Sequence, residues 1–280
     1  MARRVLNVAH RGASMEAPEN TLAAFKRAIE IGADALELDV RLTADGRLAV
    51  VHDDKVARTT GARGRVSAMT LDELKSLDAG RWFGRAFAGE RIPSLDEVCR
   101  LARGRVGLFV EVKKPGARAA EAVEKVSEAL SKFDGGIVVQ SFDASFVRLY
   151  KKRHPAARAA LLTESPDGLR AARAAGADAV GVGIRSIGRA LIARAESRGL
   201  ECFVWTVKSF KALVRSLQYD VRAVTTDFPR EVGAVLESIE RAAEEEFGPH
   251  GPQGDAYIKW RRKLLKTMKT WPAPPHGGRA

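Results

Sequence analysis

The sequence predicts a (β/α)8 barrel, the TIM-barrel architecture, as one catalytic domain. Three observations carry this. Short apolar, β-branched runs recur eight times, and each is followed by an Ala-, Leu- and charge-rich stretch of helical period. The chain has 280 residues, and such a barrel uses about 250 of them as one domain. Acidic and basic side chains gather where successive strands end, which is the side of a barrel on which active sites form.

The eight strands are expected at 5–9, 35–41, 108–113, 137–142, 157–163, 179–184, 201–207 and 222–226. One further strand-like run, 47–52, breaks the alternation. Only Thr43, Ala44, Asp45 and Gly46 separate it from the second strand, too few for a parallel crossover, and Asp45-Gly46 is a hairpin signal. It is therefore expected to return antiparallel beside the second strand and to bring His52 back to the level of Asp39. The connection 54–93 is longer than an ordinary barrel loop. It carries Trp82, Phe83 and Phe87 and reads as a small insertion over or beside the barrel mouth. The barrel domain is drawn over 1–243, with a linker and a basic amphipathic tail over 244–280.

Composition excludes some classes. No apolar run approaches the roughly 20 residues that span a bilayer, and the first residues lack the long apolar core of a secretory signal, so the chain reads as cytoplasmic. Cys99 and Cys202 fall in a helix and a barrel strand and read as two buried thiols rather than a disulfide. The formal charge is +12, which suggests nucleic acid, but seven basic residues against Asp255 alone lie from His250 onward. Half of the excess thus sits in the tail, and no specific nucleic-acid site is expected on the barrel.

The candidate chemistry lies at the strand ends. The first strand runs into His10-Arg11, the second carries Glu37 and Asp39, and the third carries Glu111 and Lys113. Residues two apart on a strand share a face, so these pairs converge on the mouth. Three carboxylates around one cavity repel and resist full ionisation unless a cation joins them. An oxygen-only donor set suits a hard divalent ion, Mg2+ or Ca2+, better than zinc. The alternative is pairing with Arg or Lys, for which Lys113 is an obvious partner. His10 and His52 are the only histidines in strand-end positions, and a pair of them flanking a phosphorus can supply one proton while removing another.

An ordered set of motifs then becomes specific. His10-Arg11-Gly12-Ala13, Pro18-Glu19-Asn20-Thr21, Glu37-Leu38-Asp39, Thr43-Ala44-Asp45-Gly46 and Val51-His52-Asp53 are followed by Ile92-Pro93-Ser94-Leu95, Glu111-Val112-Lys113, Ser141-Phe142-Asp143, Trp205-Thr206-Val207 and Thr226-Asp227-Phe228-Pro229. This series, from about Val5 to Ile239, resembles the glycerophosphodiester phosphodiesterase family. The resemblance implies hydrolysis of a glycerophosphodiester to glycerol 3-phosphate and an alcohol. It implies that Glu37, Asp39 and Glu111 hold the divalent metal, that His10 and His52 are the acid–base pair, and that Arg11 and Lys113 help hold phosphate. Trp205 matches a tryptophan at the family's site wall, with barrel packing as its alternative. Glu19, Asn20 and Asp227 are expected to support the site from behind. Two positions depart from the family pattern, Lys114 and Lys208, and both bear on substrate preference.

The rival chemistry is a lysophospholipase D reaction on lysolipids, which an apolar groove beside the mouth would favour. A non-catalytic, nucleic-acid-binding barrel is the rival from another class, and the complete set of acids and histidines argues against it. In the tail, Tyr257, Trp260, Leu264, Met268 and Trp271 form one helical stripe flanked by Lys259, Arg262, Lys263, Lys266 and Lys269. That pattern predicts peripheral contact of 257–271 with an anionic membrane, against docking of the same stripe on the barrel.

Overall fold

The computed structural model describes residues 4–165, 167–248, 254–268 and 270. Its strands are β1 (Leu6–His10), β2 (Ala35–Leu42), β3 (Leu48–Val50), β4 (Gly107–Val112), β5 (Ile137–Ser141), β6 (Ala159–Thr163), β7 (Ala179–Gly183), β8 (Glu201–Val207) and β9 (Ala223–Thr226). All neighbours are parallel except β2 and β3. The order β1-β9-β8-β7-β6-β5-β4-β2-β3 closes through a β1–β2 pairing, so eight strands form a complete ring. β3 hangs outside it, antiparallel on β2 with Val40 opposite Val50.

The helices are α1 (Leu22–Glu30), α2 (Ala57–Thr60), α3 (Leu71–Lys75), α4 (Leu95–Ala102), α5 (Ala119–Leu130), α6 (Ala144–Arg153), α7 (Gly168–Ala174), α8 (Arg189–Glu196), α9 (Phe210–Ser216), α10 (Pro229–Phe247) and α11 (Gly254–Leu265). Several begin where a side chain satisfies the otherwise orphaned first-turn amides: Thr21 caps α1, Asp143 caps α6, and Ser94 with Glu97 forms a capping box at α4.

Strand alternation sorts the ring into two environments. Val8, Ala35, Phe109, Val138, Ala160, Ala179, Phe203 and Ala223, one from each ring strand, form a closed apolar layer inside the barrel. Phe109 and Phe203 meet there edge to face with centroids 5.2 Å apart. The intervening residues of β2, Leu36, Leu38 and Val40, point outward and join the larger core under the helices. Two residues above the inner layer the same inward face turns polar. Val8 is followed by His10, Ala35 by Glu37 and then Asp39, and Phe109 by Glu111, so the apolar layer is the floor of the site.

Residues 54–93 hold their own small core, in which Val56, Val66, Leu71, Leu74, Ala79 and Ile92 pack with Ala49 and Val51. Cys99 and Cys202 are both buried and unpaired. Burial pushes their thiols up, to about 11 and about 12.

α11 docks on the barrel. Ile258, Arg261 and Leu265 are buried, and Trp260, Leu264 and Met268 pack against the main core. Three residues of the apolar stripe that the sequence offers to a membrane are thus partly buried against the protein itself; Lys269 and Trp271 lie outside the described residues. The buried row also includes a cation. Arg261 Nε donates to the Leu217 carbonyl and Nη2 to the Tyr219 carbonyl, both at 2.8 Å, while Arg262 Nε donates to Gln218 at 2.6 Å. These acceptors follow the end of α9, where carbonyls lack helical partners and the helix dipole favours positive charge. Among the described residues, no helix is long and apolar enough to cross a membrane.

Candidate active site

Inward alternation at the carboxyl ends of β1, β2 and β4 brings His10, Glu37, Asp39, Glu111 and Lys113 together. The three acids are buried, and one oxygen from each lies within 4.8 Å of the others. Backbone register explains the spacing, since β2 and β4 pair with Asp39 directly beside Glu111.

Such crowding is costly, and the cations answer it unevenly. Lys113 Nζ lies 3.0 Å from Asp39 Oδ1 and 2.6 Å from Glu111 Oε1, while Arg11 Nε lies 3.1 Å from Asp39 Oδ2. Burial alone pushes Asp39 up, but Lys113 and Arg11 outweigh it and hold this carboxyl well below the usual range. Among the described residues Glu37 accepts one hydrogen bond, from the Arg11 amide 3.1 Å from Oε2, and burial with the charges of Asp39 and Glu111 pushes it well above the usual range despite Arg11 and Lys113. Burial and Asp39 raise Glu111 to about 7 despite Lys113. Asp39 is therefore the acid most favoured as a carboxylate, while Glu37 and Glu111 are displaced toward their protonated forms for want of positive charge.

The donor set fits a hard divalent cation. All candidate ligands are carboxylate oxygens, and the buried Asp39 Oδ1 accepts no hydrogen bond despite its ion-pair distance to Lys113. Asn20 fixes the other oxygen, Nδ2 donating to Asp39 Oδ2 at 2.8 Å. Glu19 accepts from Arg11 Nη1 at 2.8 Å and from Arg58, so both Glu19 and Asn20 stand behind the site. Arg11 and Asn20 both have φ of 57°, in the left-handed region, and the Asn20 amide bonds the Arg11 carbonyl at 3.0 Å. Such backbone costs about 1–3 kcal/mol per residue and persists where its surroundings over-determine it.

Each histidine is backed by a carboxylate through the same ring nitrogen. His10 Nδ1 is 2.5 Å from Asp227 Oδ1, and His52 Nδ1 is 2.7 Å from Asp53 Oδ1. Burial pushes both acids up, but hydrogen bonds from His10 and Lys208 hold Asp227 below the usual range, and those from Arg58 and His52 do the same for Asp53. An ionised carboxylate can only accept, so Nδ1 carries the proton and Nε2 is left for chemistry. His10 Nε2 lies 4.0 Å from Glu37 Oε2. His52 lines a cavity of about 960 Å3 together with Glu111, Lys113 and Phe142. Burial holds the His52 imidazole below its ordinary range, although Asp39 opposes this.

Trp205 stands apart from this network. Its ring packs edge to face with Phe142, centroids 5.4 Å apart, and lies against Gly181, where a Cβ would come within 3.5 Å of Trp205 Cδ1. Phe142 is 47% exposed and carries the aromatic wall into the cavity. Sequence reasoning gave no role to Phe142, Asp53, Arg41 or Arg58. Asp53 had a signal, since an acid next to His52 can reach its near ring nitrogen. Arg58 had none, because its contacts to Asp53 and Glu19 join residues far apart in the chain.

Known proteins resemble this chain over most of its length. The profile of the Glycerophosphoryl diester phosphodiesterase family matches residues 10–231. The glycerophosphodiester phosphodiesterase of Caldanaerobacter subterraneus subsp. tengcongensis is 38% identical over 231 residues, covering 81% of this chain and 95% of the relative. That of Bacillus altitudinis is 36% identical over 243 residues, covering 82% and 98%. Among solved structures, an Oleispira antarctica phosphodiesterase in complex with the product sn-glycerol-3-phosphate superposes with a TM-score of 0.77 at 25% identity, covering 82% of this chain and 96% of that one. With the motif series, the closed parallel ring and the acidic mouth in place, the chain belongs to the glycerophosphoryl diester phosphodiesterase family.

Proposed function

We propose that this protein hydrolyses glycerophosphodiesters to glycerol 3-phosphate and an alcohol, with a divalent cation, Mg2+ or Ca2+, held by Glu37, Asp39 and Glu111 and with His10 and His52 as the acid–base pair. The observation that carries this reading is the convergence of three buried carboxylates between two carboxylate-backed imidazoles. A bound divalent ion supplies charge neutralisation at the phosphoryl oxygens. Arg11 and Lys113 would hold the phosphate through charge-assisted hydrogen bonds.

His52, held neutral by burial, accepts the proton of the nucleophile at Nε2. The phosphorus–oxygen bond to the alcohol breaks, and His10 gives the departing alkoxide its proton. Asp227 and Asp53 keep each ring in the tautomer that this exchange needs. The nucleophile is either water or the substrate's own glycerol hydroxyl; the second route passes through a cyclic phosphate that water then opens. Trp205 and Phe142 offer a flat apolar wall to the glycerol carbons.

A soluble diester suits the mouth better than a lysolipid. The cavity is lined mainly by charged residues, and its carbon side chains are Ala57, Val112 and Phe142.

The test is release of glycerol 3-phosphate from glycerophosphocholine, glycerophosphoethanolamine and glycerophosphoglycerol, with lysophosphatidylcholine alongside, by protein stripped with chelator and then given Mg2+ or Ca2+. Release from the diesters only after ion addition supports the reading. Equal turnover by the stripped protein removes the metal from it, and faster release from the lysolipid replaces the substrate.

A further inference from the structure

The inward face of β2 does not end at the carboxylates. Glu37, Asp39 and Arg41 alternate on one face, so Arg41 stands one step further out, over the mouth. Its Nε donates to the His52 carbonyl at 2.8 Å, which anchors the base of the guanidinium. Among the described residues no carboxylate lies within ion-pair distance of Arg41, although Asp54, Asp39, Asp53 and Glu111 act on it from further off. Lys114, just past β4 with φ of 35°, and Lys55, just past His52, also have no side-chain partner among the described residues.

All three cations line the mouth cavity, and its acids are engaged elsewhere. Asp53 is held by His52 and Arg58, Asp54 by Arg65 and Ser67, and Glu111 by Lys113. Asp143 accepts from the Ser145 and Phe146 amides at the start of α6. Three cations with no close ion-pair partner among the described residues thus line one cavity. Arg41 and Lys114 also border an adjoining cavity of about 410 Å3, so the wall continues outward from the reacting centre with room for a polar group. The aromatic pair Phe142 and Trp205 comes from β5 and β8, on other strands of the ring.

We propose that Arg41, Lys114 and Lys55 form an anion-binding subsite, so that the preferred diester carries a second negative charge, a phosphate or carboxylate, on its alcohol. This rests on the reading of the chain as a glycerophosphodiester phosphodiesterase. The glycerol lies toward the aromatic wall and the charged alcohol toward the cationic one. The bond broken is unchanged; the subsite acts on binding through charge-assisted hydrogen bonds.

The experiment compares kcat/KM for glycerophosphoglycerol, the same diester phosphorylated on its far glycerol, and glycerophosphocholine, in the wild type, Lys114→Gln, Arg41→Gln and Arg41→Lys. The wild type is expected to favour the phosphorylated diester by about tenfold at low salt, with the advantage shrinking as salt rises. Both Gln variants should cut that advantage, mainly through KM, while Arg41→Lys retains most of it. A binding arm by calorimetry compares glycerol 1,3-bisphosphate with glycerol 3-phosphate on the same proteins. Hydrolysis with no preference for the extra charge, or a preference that survives both Gln substitutions, overturns the subsite and leaves the activity standing. Absence of all hydrolysis, with tighter bisphosphate binding that needs Arg41 and Lys114, overturns the activity and leaves the subsite standing. Loss of both readouts overturns both.

Discussion

His10 and Asp227 sit at the two ends of the barrel sequence and meet across the β1–β9 seam, Nδ1 to Oδ1 at 2.5 Å. The carboxylate fixes both the ring's orientation and the proton on Nδ1. Asp227→Asn is therefore expected to slow turnover by roughly 10- to 100-fold, the usual cost of losing such a supporting partner, with KM changed much less. Steady-state kinetics with circular dichroism on the same samples checks this. A folded Asp227→Asn variant at wild-type rate would show that His10 needs no orientation.

The acidic cluster makes stability depend on pH in a direction that metal should reverse. Glu111 is raised from an ordinary value near 4.5 to about 7, and Glu37 is also raised. A raised carboxyl binds its proton more tightly in the folded state, so its contribution is complete below the unfolded value and is lost as pH rises through the folded one. Asp39 is depressed and contributes throughout this window, failing only in stronger acid. The chelated protein should thus lose thermal stability between pH 5 and pH 8. Saturating Mg2+ or Ca2+ should flatten or invert that slope, since an ion at about 100 times its Kd adds about 2.7 kcal/mol. Scanning calorimetry at several pH values, with chelator or ion, reads this directly. Identical slopes in both conditions would remove the ion from the cluster.

The docked tail should behave as part of the fold. Leu265 is 2% exposed in the main core, and Leu265→Ala is expected to cost about 2–5 kcal/mol. Deleting residues from Gly248 onward should lower the melting temperature as well, because the Leu217, Gln218 and Tyr219 carbonyls lose the donors that Arg261 and Arg262 supply. Unchanged melting on truncation would mean that the helix leaves the barrel in solution, and liposome sedimentation of the full chain would then become the relevant measurement.

Gly12 allows the chain to turn between His10 and α1. Its φ is +84°, and a Cβ there would lie 2.6 Å from the Ala24 carbonyl carbon, a backbone atom that cannot yield cheaply. Gly12→Ala should destabilise by more than the ~1 kcal/mol of an ordinary unfavourable backbone substitution and should displace Arg11. Denaturant melts and the activity of the folded fraction measure the two effects separately.

Much of this architecture is legible in the sequence because a single rule, alternation along a strand, sets both floor and site. Ala35, Glu37 and Asp39 must share a face wherever β2 lies, and the parallel register then places Glu111 beside Asp39. What resists reading are contacts whose reason lies elsewhere in the chain. Arg261 reads as a solvent-facing cation by its charge, yet it is 3% exposed because its guanidinium donates to the carbonyls of Leu217 and Tyr219. Its burial puts the docking face of α11 on the row Ile258, Arg261 and Leu265, beside the apolar stripe. Arg41 is similar, since whether a cation is answered depends on where every neighbouring acid has already been spent.

β3 is a ninth strand attached to a ring that is complete without it, and it leads directly to His52. The proposed proton acceptor is therefore borne on a flap, while the proposed metal ligands and the proposed proton donor belong to the closed ring. A ring of eight mutually paired strands tolerates little change, because altering one register disturbs all the others. The segment that follows β3, with its own small core, carries no such obligation. Residues 54–93, including Lys55, can vary in length and charge without reopening the barrel. The family's chemistry can accordingly stay fixed while its choice of alcohol drifts, and relatives that differ in head group should differ first in the segment following β3.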